Sequence, residues 1–223
     1  MKDASSYLYN DPSLYENNEP FSSRSNKFYA RIKDECEKVI FKNSFVLEVG
    51  CGNGRNLFEF EKLGANVFGT DLSEYAIDLA NTYKTKYNSS AKFYLGDMTK
   101  VNFEKNFFDI ILLLSNTITE ISYTYFNDLC IYVKSILKSS GVFCLEVKDS
   151  VVHFNEKGLP IEKYCTNDAV ITDTITIPGR NNYIYKCHFW TLGMIKFILS
   201  LYFKNIQIKS ITDKRYWLVC SDV

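Results

Sequence analysis

The stretch "FVLEVGCGNGRN", residues 45–56, constrains this chain more than any other. A short apolar run, the pattern of a buried strand, ends in Gly50, Gly52 and Gly54, and a helical pattern follows in "RNLFEFEKLG". A strand, a glycine-rich turn and a helix open an α/β domain, whose ligands sit beyond the carboxyl ends of the strands. Three side chains missing in five positions create the expectation that a ligand lies against that backbone.

The alternation continues downstream. "ANVFGTD" reads as a second strand and "SEYAIDLANTYKTKY" as a helix opened by a Ser73 cap. Next come strands "AKFYLGD" and "FDIILLLSN", a helix over "TYFNDLCIYVKSILKSSG", and strand "VFCLEVK". Near-continuous apolar runs such as "IILLL" belong to strands buried on both faces. The expected fold class is therefore α/β, a doubly wound, mostly parallel, seven-stranded sheet. Residues 1–40 read as a polar arm and a helix, 41–150 as the core, and 151–190 as an insertion with a β-hairpin turning at Pro178–Asn181. Residues 191–223 read as a helix over 191–203 and two closing strands near 205–211 and 215–220. The whole, 1–223, fits a single domain.

Charge and cysteine usage narrow the function. Twenty-six basic residues balance 26 acidic ones, which leaves no electrostatic footprint for a nucleic acid. The first residues carry no apolar run, so no signal peptide is expected. The longest apolar segment, "LGMIKFILSLYF", is interrupted by Lys196 and is too short to span a bilayer. Seven cysteines occur without a CxxC or a Cys/His pair at metal-ligand spacing, which suits reduced thiols and no metal site. A cytoplasmic protein without a membrane partner is the expectation.

The glycine turn itself rules out two phosphate sites. A dinucleotide fingerprint needs glycine at position 55, where this chain has Arg55, and no lysine follows as a P-loop requires. What remains is G-x-G-x-G preceded by Glu48. That pattern resembles the class I S-adenosylmethionine-dependent methyltransferases. Asp71, 21 positions beyond Gly50 at the end of the second strand, can accept hydrogen bonds from both hydroxyls of a ribose; read plainly, it is a turn residue before a capped helix.

The resemblance implies S-adenosyl-L-methionine as cofactor and S-adenosyl-L-homocysteine as product. It implies a loop site of Glu48, Gly50, Cys51, Gly52, Asn53, Gly54 and Asn56, with Asp71 and Leu72 beside it. In "GDM" it implies that the Asp97 carboxylate meets the adenine amino group and the Met98 amide faces the ring. Leu114, Ser115 and Asn116 would lie beneath the methionine portion.

Outside the core, "DPSLYENNEPFSSRSNKFYARI" is similar to the arm of small-molecule N-methyltransferases acting on glycine or on nucleotide-linked amino sugars. That likeness implies Tyr15 with Glu16, Arg24 and Tyr29 closing over the cofactor, a small-molecule acceptor, and a monomer or homodimer. Two positions depart from the pattern: Thr99 follows Met98 where a basic residue is common, and Glu120 stands where a histidine is common. Candidate catalytic groups are Glu120, His153 and Tyr15, since a hydroxyl acceptor needs a general base and an amine must lose its proton. Each has a plain alternative: Glu120 as a helix-start carboxylate, His153 as a surface residue of a lid, Tyr15 as a packing aromatic. His188 alternates within the hairpin and reads as structural. A protein- or nucleic-acid-modifying enzyme would share the core, although "SNTITE" lacks the Asn/Asp-Pro-Pro-aromatic run of nucleic-acid enzymes. A non-catalytic binding module remains the third reading.

Overall fold

Among the described residues, fifteen segments of regular structure follow the sequence pattern closely. In chain order they are α1 (Lys27–Val39), β1 (Phe45–Val49), α2 (Arg55–Glu61), β2 (Asn66–Asp71), α3 (Glu74–Lys86), β3 (Lys92–Leu95), β4 (Phe108–Leu113), a 3-10 turn (Thr117–Glu120) and α4 (Tyr123–Ile136). After these come β5 (Leu137–Lys148), β6 (Val170–Thr176), β7 (Asn182–His188), α5 (Leu192–Ser200), β8 (Asn205–Thr212) and β9 (Arg215–Ser221). The computed structural model describes residues 10–12, 15, 20, 27–151, 170–176 and 182–222, without the side chains of 27–29, 170–176 and 182–186.

Three helix starts have a local cause. The Ser73 hydroxyl accepts from the Ala76 amide at 3.0 Å, and α3 then buries Ala76, Ile77 and Ala80. Ser122 caps α4 through the Tyr125 amide at 3.2 Å, and Thr191 caps α5 through the Met194 amide at 3.1 Å. In the strands, neighbours point to opposite faces, so an unbroken apolar run feeds two cores. Leu47, Ile111 and Leu145 join one core with Phe126, Trp190 and Leu199. Val46, Ile110 and Leu112 join the other with Leu57, Ile32 and Trp217.

The sheet order is β3-β2-β1-β4-β5-β9-β8, seven strands in all. Strands β1 to β5 are mutually parallel, β9 runs antiparallel to β5, and β8 pairs antiparallel with β9. The mixed, mostly parallel α/β sheet expected from the alternation is therefore present. Its strand order reverses between β1 and β4, which brings the glycine turn, Asp71, Asp97 and Leu114–Asn116 to one edge. Strands β6 and β7 form a separate antiparallel hairpin.

One expected boundary moves. The helix anticipated through residue 141 stops at Ile136, and β5 begins at Leu137 without an intervening loop. Leu137 pairs with Phe108, and a register shift before Ile110 takes up the extra residues. A Cβ on Gly141 would lie 2.8 Å from Leu137 Cδ1 and 3.0 Å from the Asp109 carbonyl, so glycine is needed where the irregular strand folds on itself. Among the described residues no helix is long and apolar enough to cross a membrane.

Candidate functional site

The turn after β1 holds Gly50, Gly52 and Gly54 in left-handed conformations, with φ of 71°, 54° and 74°. The Gly50 and Cys51 amides donate to the Thr70 carbonyl at 2.8 and 3.0 Å, which sews the turn onto β2. A Cβ on Gly50 would lie 2.6 Å from Thr117 Cγ2, and one on Gly54 would lie 2.5 Å from the Phe93 ring. At Gly52 the nearest atom is Tyr15 Cε1, 4.0 Å away. Packing within the chain thus accounts for two of the three glycines. Among the described residues only Gly52 leaves room above its backbone, and Tyr15 bounds that room.

The acidic groups gather around this gap. Asp71 Oδ2 accepts from the Gly52 amide at 2.8 Å and Oδ1 from the Ser73 amide at 2.9 Å. Burial pushes its carboxyl up, against the pull of the Ser73, Gly52 and Leu72 amides. Leu72, its neighbour, is exposed. Glu48 is buried; Oε1 accepts from the Asn56 side chain at 2.7 Å, while Oε2 has no partner among the described residues. Burial raises its carboxyl to about 8, although the Asn56 hydrogen bond and the Arg55 charge act in the opposite direction. Asn53 Oδ1 accepts from the Arg55 amide at 3.3 Å and Cys51 packs inward against Gly69.

Thr70 Oγ1 and Asn116 Oδ1 are also buried without a partner among the described residues. A buried acceptor left alone costs about 1–3 kcal/mol. Three such atoms at the carboxyl ends of β1, β2 and β4 fit a ligand rich in hydrogen-bond donors and positive in charge. S-adenosylmethionine, with an ammonium, a sulfonium and two ribose hydroxyls, meets that description.

The exit from β4 is strained. Ser115 and Asn116 both have positive φ, 56° and 68°, which non-glycine residues rarely adopt. Glu146, a buried residue of β5 that pairs with Arg215 of β9, lies near this turn, and the Ser115 and Asn116 amides act to lower its carboxyl. Leu114 is buried in the core, Ser115 is exposed, and the Asn116 amide nitrogen donates to Thr119 Oγ1 at 3.1 Å. Glu120 ends the 3-10 turn ahead of the Ser122 cap, so it is not a first-turn carboxylate of α4. That reading is corrected: the turn from Thr117 separates Glu120 from the helix.

At the end of β3, Asp97 is more heavily bonded than the sequence implied. Its Oδ1 accepts from the Thr99 amide at 2.9 Å, the Thr99 hydroxyl at 2.8 Å and the Tyr125 hydroxyl, while Oδ2 faces Lys100 Nζ at 3.0 Å. Burial works to raise this carboxyl, but the Tyr125, Thr99 and Lys100 donors hold it at about 2. The Met98 side chain belongs to the core.

Two covers reach this edge. From the arm, Asn10 Oδ1 accepts from the Ser73 hydroxyl at 2.9 Å and the Tyr75 amide at 3.2 Å, and the Tyr15 ring lies 5.6 Å from that of Tyr75. Burial first, then the Asp71 charge, raises the Tyr15 hydroxyl well above its ordinary value. The insertion is clamped at its two ends: the Ser150 amide donates to the Trp190 carbonyl at 2.8 Å, and the Trp190 indole donates to the Ile121 carbonyl at 3.2 Å. The Trp190 ring packs 4.5 Å from that of Tyr123, and β7 runs against the 3-10 turn. Arg24, His153 and the Tyr29 side chain lie outside the described residues. Among those described, no group of three His, Cys, Asp or Glu side chains could hold a metal ion.

Sequence reasoning missed Glu146, Arg215, Tyr125 and Asn10. A charged residue inside "VFCLEVK" was the one available signal for the first of these.

Comparisons with known proteins bear on the fold and the family. Residues 46–141 match the methyltransferase domain family. Sterol 24-C-methyltransferase ERG6 of Saccharomyces cerevisiae is 38% identical over 81 residues, 35% of this chain and 21% of that protein. The ubiquinone biosynthesis O-methyltransferase of Coxiella burnetii is 32% identical over 81 residues, 36% of this chain and 35% of that protein. These matches thus span only about a fifth to a third of the relatives' length. A solved structure from Pyrococcus horikoshii OT3 shares the fold, with a TM-score of 0.74 at 24% identity over 97% of this chain and 98% of that one.

Proposed function

We propose that this chain is a class I S-adenosylmethionine-dependent methyltransferase and that it transfers a methyl group to an N or O atom of a small polar metabolite. The carrying observation is the set of buried, unpartnered acceptors on Glu48, Thr70 and Asn116 beside the open backbone of Gly52. The cofactor supplies a methyl group activated on a sulfonium, so the protein's task is mainly to bind, align and keep water out. In this reading Asp71 takes the ribose hydroxyls, Glu48 and Asn116 face the methionine end, and Asp97 and the Met98 amide meet the adenine. Tyr15, with Arg24 and Tyr29, closes the near side. Glu120 and His153 are the candidate bases on the acceptor side.

The acceptor class rests on the covers. The family match ends at residue 141 and begins at 46, so it leaves out both the arm and the insertion. The described residues of those two segments, Asn10 and Tyr15 of the arm and Ser150 and Trp190 at the ends of the insertion, favour a metabolite over a folded protein. Zero net charge gives no steering for a polyanion.

Calorimetric titration with S-adenosylhomocysteine tests the reading, and absence of heat at tens of micromolar protein would end it. Asp71→Ala should weaken that binding by about 1.5–3 kcal/mol, the scale of charge-assisted hydrogen bonds, in a protein that still melts cooperatively. An unchanged affinity would place the ribose elsewhere.

Glu48 adds a pH dependence with a definite sign. Its carboxyl titrates near 8 in the folded protein against 4.5 ordinarily, so between those values the folded chain holds a proton that the unfolded chain has lost. Its contribution to stability is present below 4.5 and is lost as pH rises through 8. A cation bound beside it favours ionisation, so cofactor binding near pH 7 should release a proton and tighten between pH 6 and 8. Titration in buffers of different ionisation enthalpy reads this directly. A buffer-independent heat, or a Glu48→Gln variant that still releases the proton, would contradict the assignment.

A further inference from the structure

We propose that Tyr125 is a positioning residue that makes the site selective for adenine, by locking the Asp97 carboxylate so that only Oδ2 remains for the ligand. The inference rests on the proposed cofactor site and deepens it. Oδ1 of Asp97 takes three donors, the Thr99 amide at 2.9 Å, the Thr99 hydroxyl at 2.8 Å and the Tyr125 hydroxyl. A carboxylate oxygen offers about two lone-pair sites, so this one is saturated. Oδ2 has a different environment. Its partner among the described residues is Lys100 Nζ at 3.0 Å, on a side chain that is 79% exposed. An exposed ion pair of this kind is worth about 0–1 kcal/mol, because water solvates the ammonium nearly as well. Oδ2 can therefore exchange that partner for a ligand N–H, while Oδ1 cannot.

The lock comes from a distant part of the chain. Asp97 lies in the loop after β3, whereas Tyr125 stands in the first turn of α4, fixed there by the Ser122 cap. Thr99 belongs to the same loop as Asp97 and moves with it, so Tyr125 is the contact that ties the carboxylate to the folded core. A fixed carboxylate oxygen rewards an exocyclic amine and penalises a carbonyl in the same place, since two acceptors then face each other. Adenine presents the amine at that position and hypoxanthine presents the carbonyl.

The experiment compares S-adenosylhomocysteine with S-inosylhomocysteine by calorimetry on the full chain. The wild-type protein should favour the adenosyl ligand by at least about tenfold, the scale of one charge-assisted hydrogen bond. Tyr125→Phe, which keeps the ring, should weaken the adenosyl ligand about five- to tenfold and the inosyl ligand less than twofold, so the preference collapses. Equal weakening of both ligands would mark Tyr125 as merely structural and overturn the proposal, as would no change in either. Should Tyr125→Phe fail to fold, Tyr125→Leu, which also lacks the hydroxyl, decides: retained preference overturns the proposal, and lost preference with the inosyl ligand weakened less than twofold supports it. If the wild-type protein binds neither ligand, the cofactor reading itself fails, and this outcome is distinct from the others.

Discussion

Glu146→Ala should destabilise the protein by about 3–5 kcal/mol, a large fraction of the stability of a domain this size. Glu146 is buried on β5, its carboxylate pairs with the Arg215 guanidinium, and the amides of Ser115 and Asn116 act on it electrostatically. Burial raises this carboxyl while those three pull it down, so the group is held in a balance between desolvation and pairing. Removing it takes the paired carboxylate away from the Arg215 guanidinium and from the strained turn after β4. Glu146→Gln should cost less, since its side-chain oxygen can still accept from Arg215. Urea unfolding of the two variants and of Arg215→Ala would show the ordering. In a double-mutant cycle, Glu146 and Arg215 should couple by more than about 1 kcal/mol, because neither change is independent of the other. A Glu146→Ala loss below 1 kcal/mol would mean that the turn after β4 holds its left-handed conformation without this strut.

The same residues mark how far the sequence could be read. Signals carried by neighbours in the chain were legible. Three glycines after an apolar strand gave the turn, Ser73 two residues after Asp71 gave the helix start, and the buried runs of β1 and β4 gave a sheet covered on both faces. What stayed hidden depends on register between distant strands. Arg215 reaches Glu146 because β9 runs antiparallel to β5 with Arg215 opposite Lys148, and no local pattern encodes that alignment. Tyr125 reaches Asp97 from another element, as Asn10 reaches Ser73 across 63 positions. The boundary at Leu137 was hidden for a different reason. "ILKSSG" reads as a helix tapering to a glycine stop, yet pairing with β4 and the Lys138–Asp109 ion pair at 2.8 Å draw those residues into the sheet. The glycines carried an ambiguity of their own. Thr117 and Phe93 fill the space that two of them leave, so the motif is partly about packing the chain and only at Gly52 about leaving room.

Deleting residues 1–26 should lower methyl transfer at least about a hundredfold while leaving a folded core that still binds S-adenosylhomocysteine. The described part of the arm touches the site in two ways. Asn10 accepts from the Tyr75 amide at 3.2 Å, a second donor at the start of α3 beside the one that Ser73 satisfies. Loss of that contact should cost about 1 kcal/mol of stability, the usual scale for a helix cap. Tyr15 bounds the space over Gly52 and lies against Tyr75, next to the Asp71 carboxylate whose charge acts on its hydroxyl. Stripping it opens the proposed cofactor site to water, and water both screens the charges that align the sulfonium and loosens the in-line geometry on which a displacement depends. Cofactor affinity should fall by less, roughly tenfold, because Asp71, Glu48 and the glycine turn all lie in the retained core. Turnover would be followed with a panel of amines and sugar hydroxyls against the full-length chain. Methylation by the shortened protein at the full-length rate would show that the arm is no cover, and the acceptor pocket would then have to be built from the insertion alone.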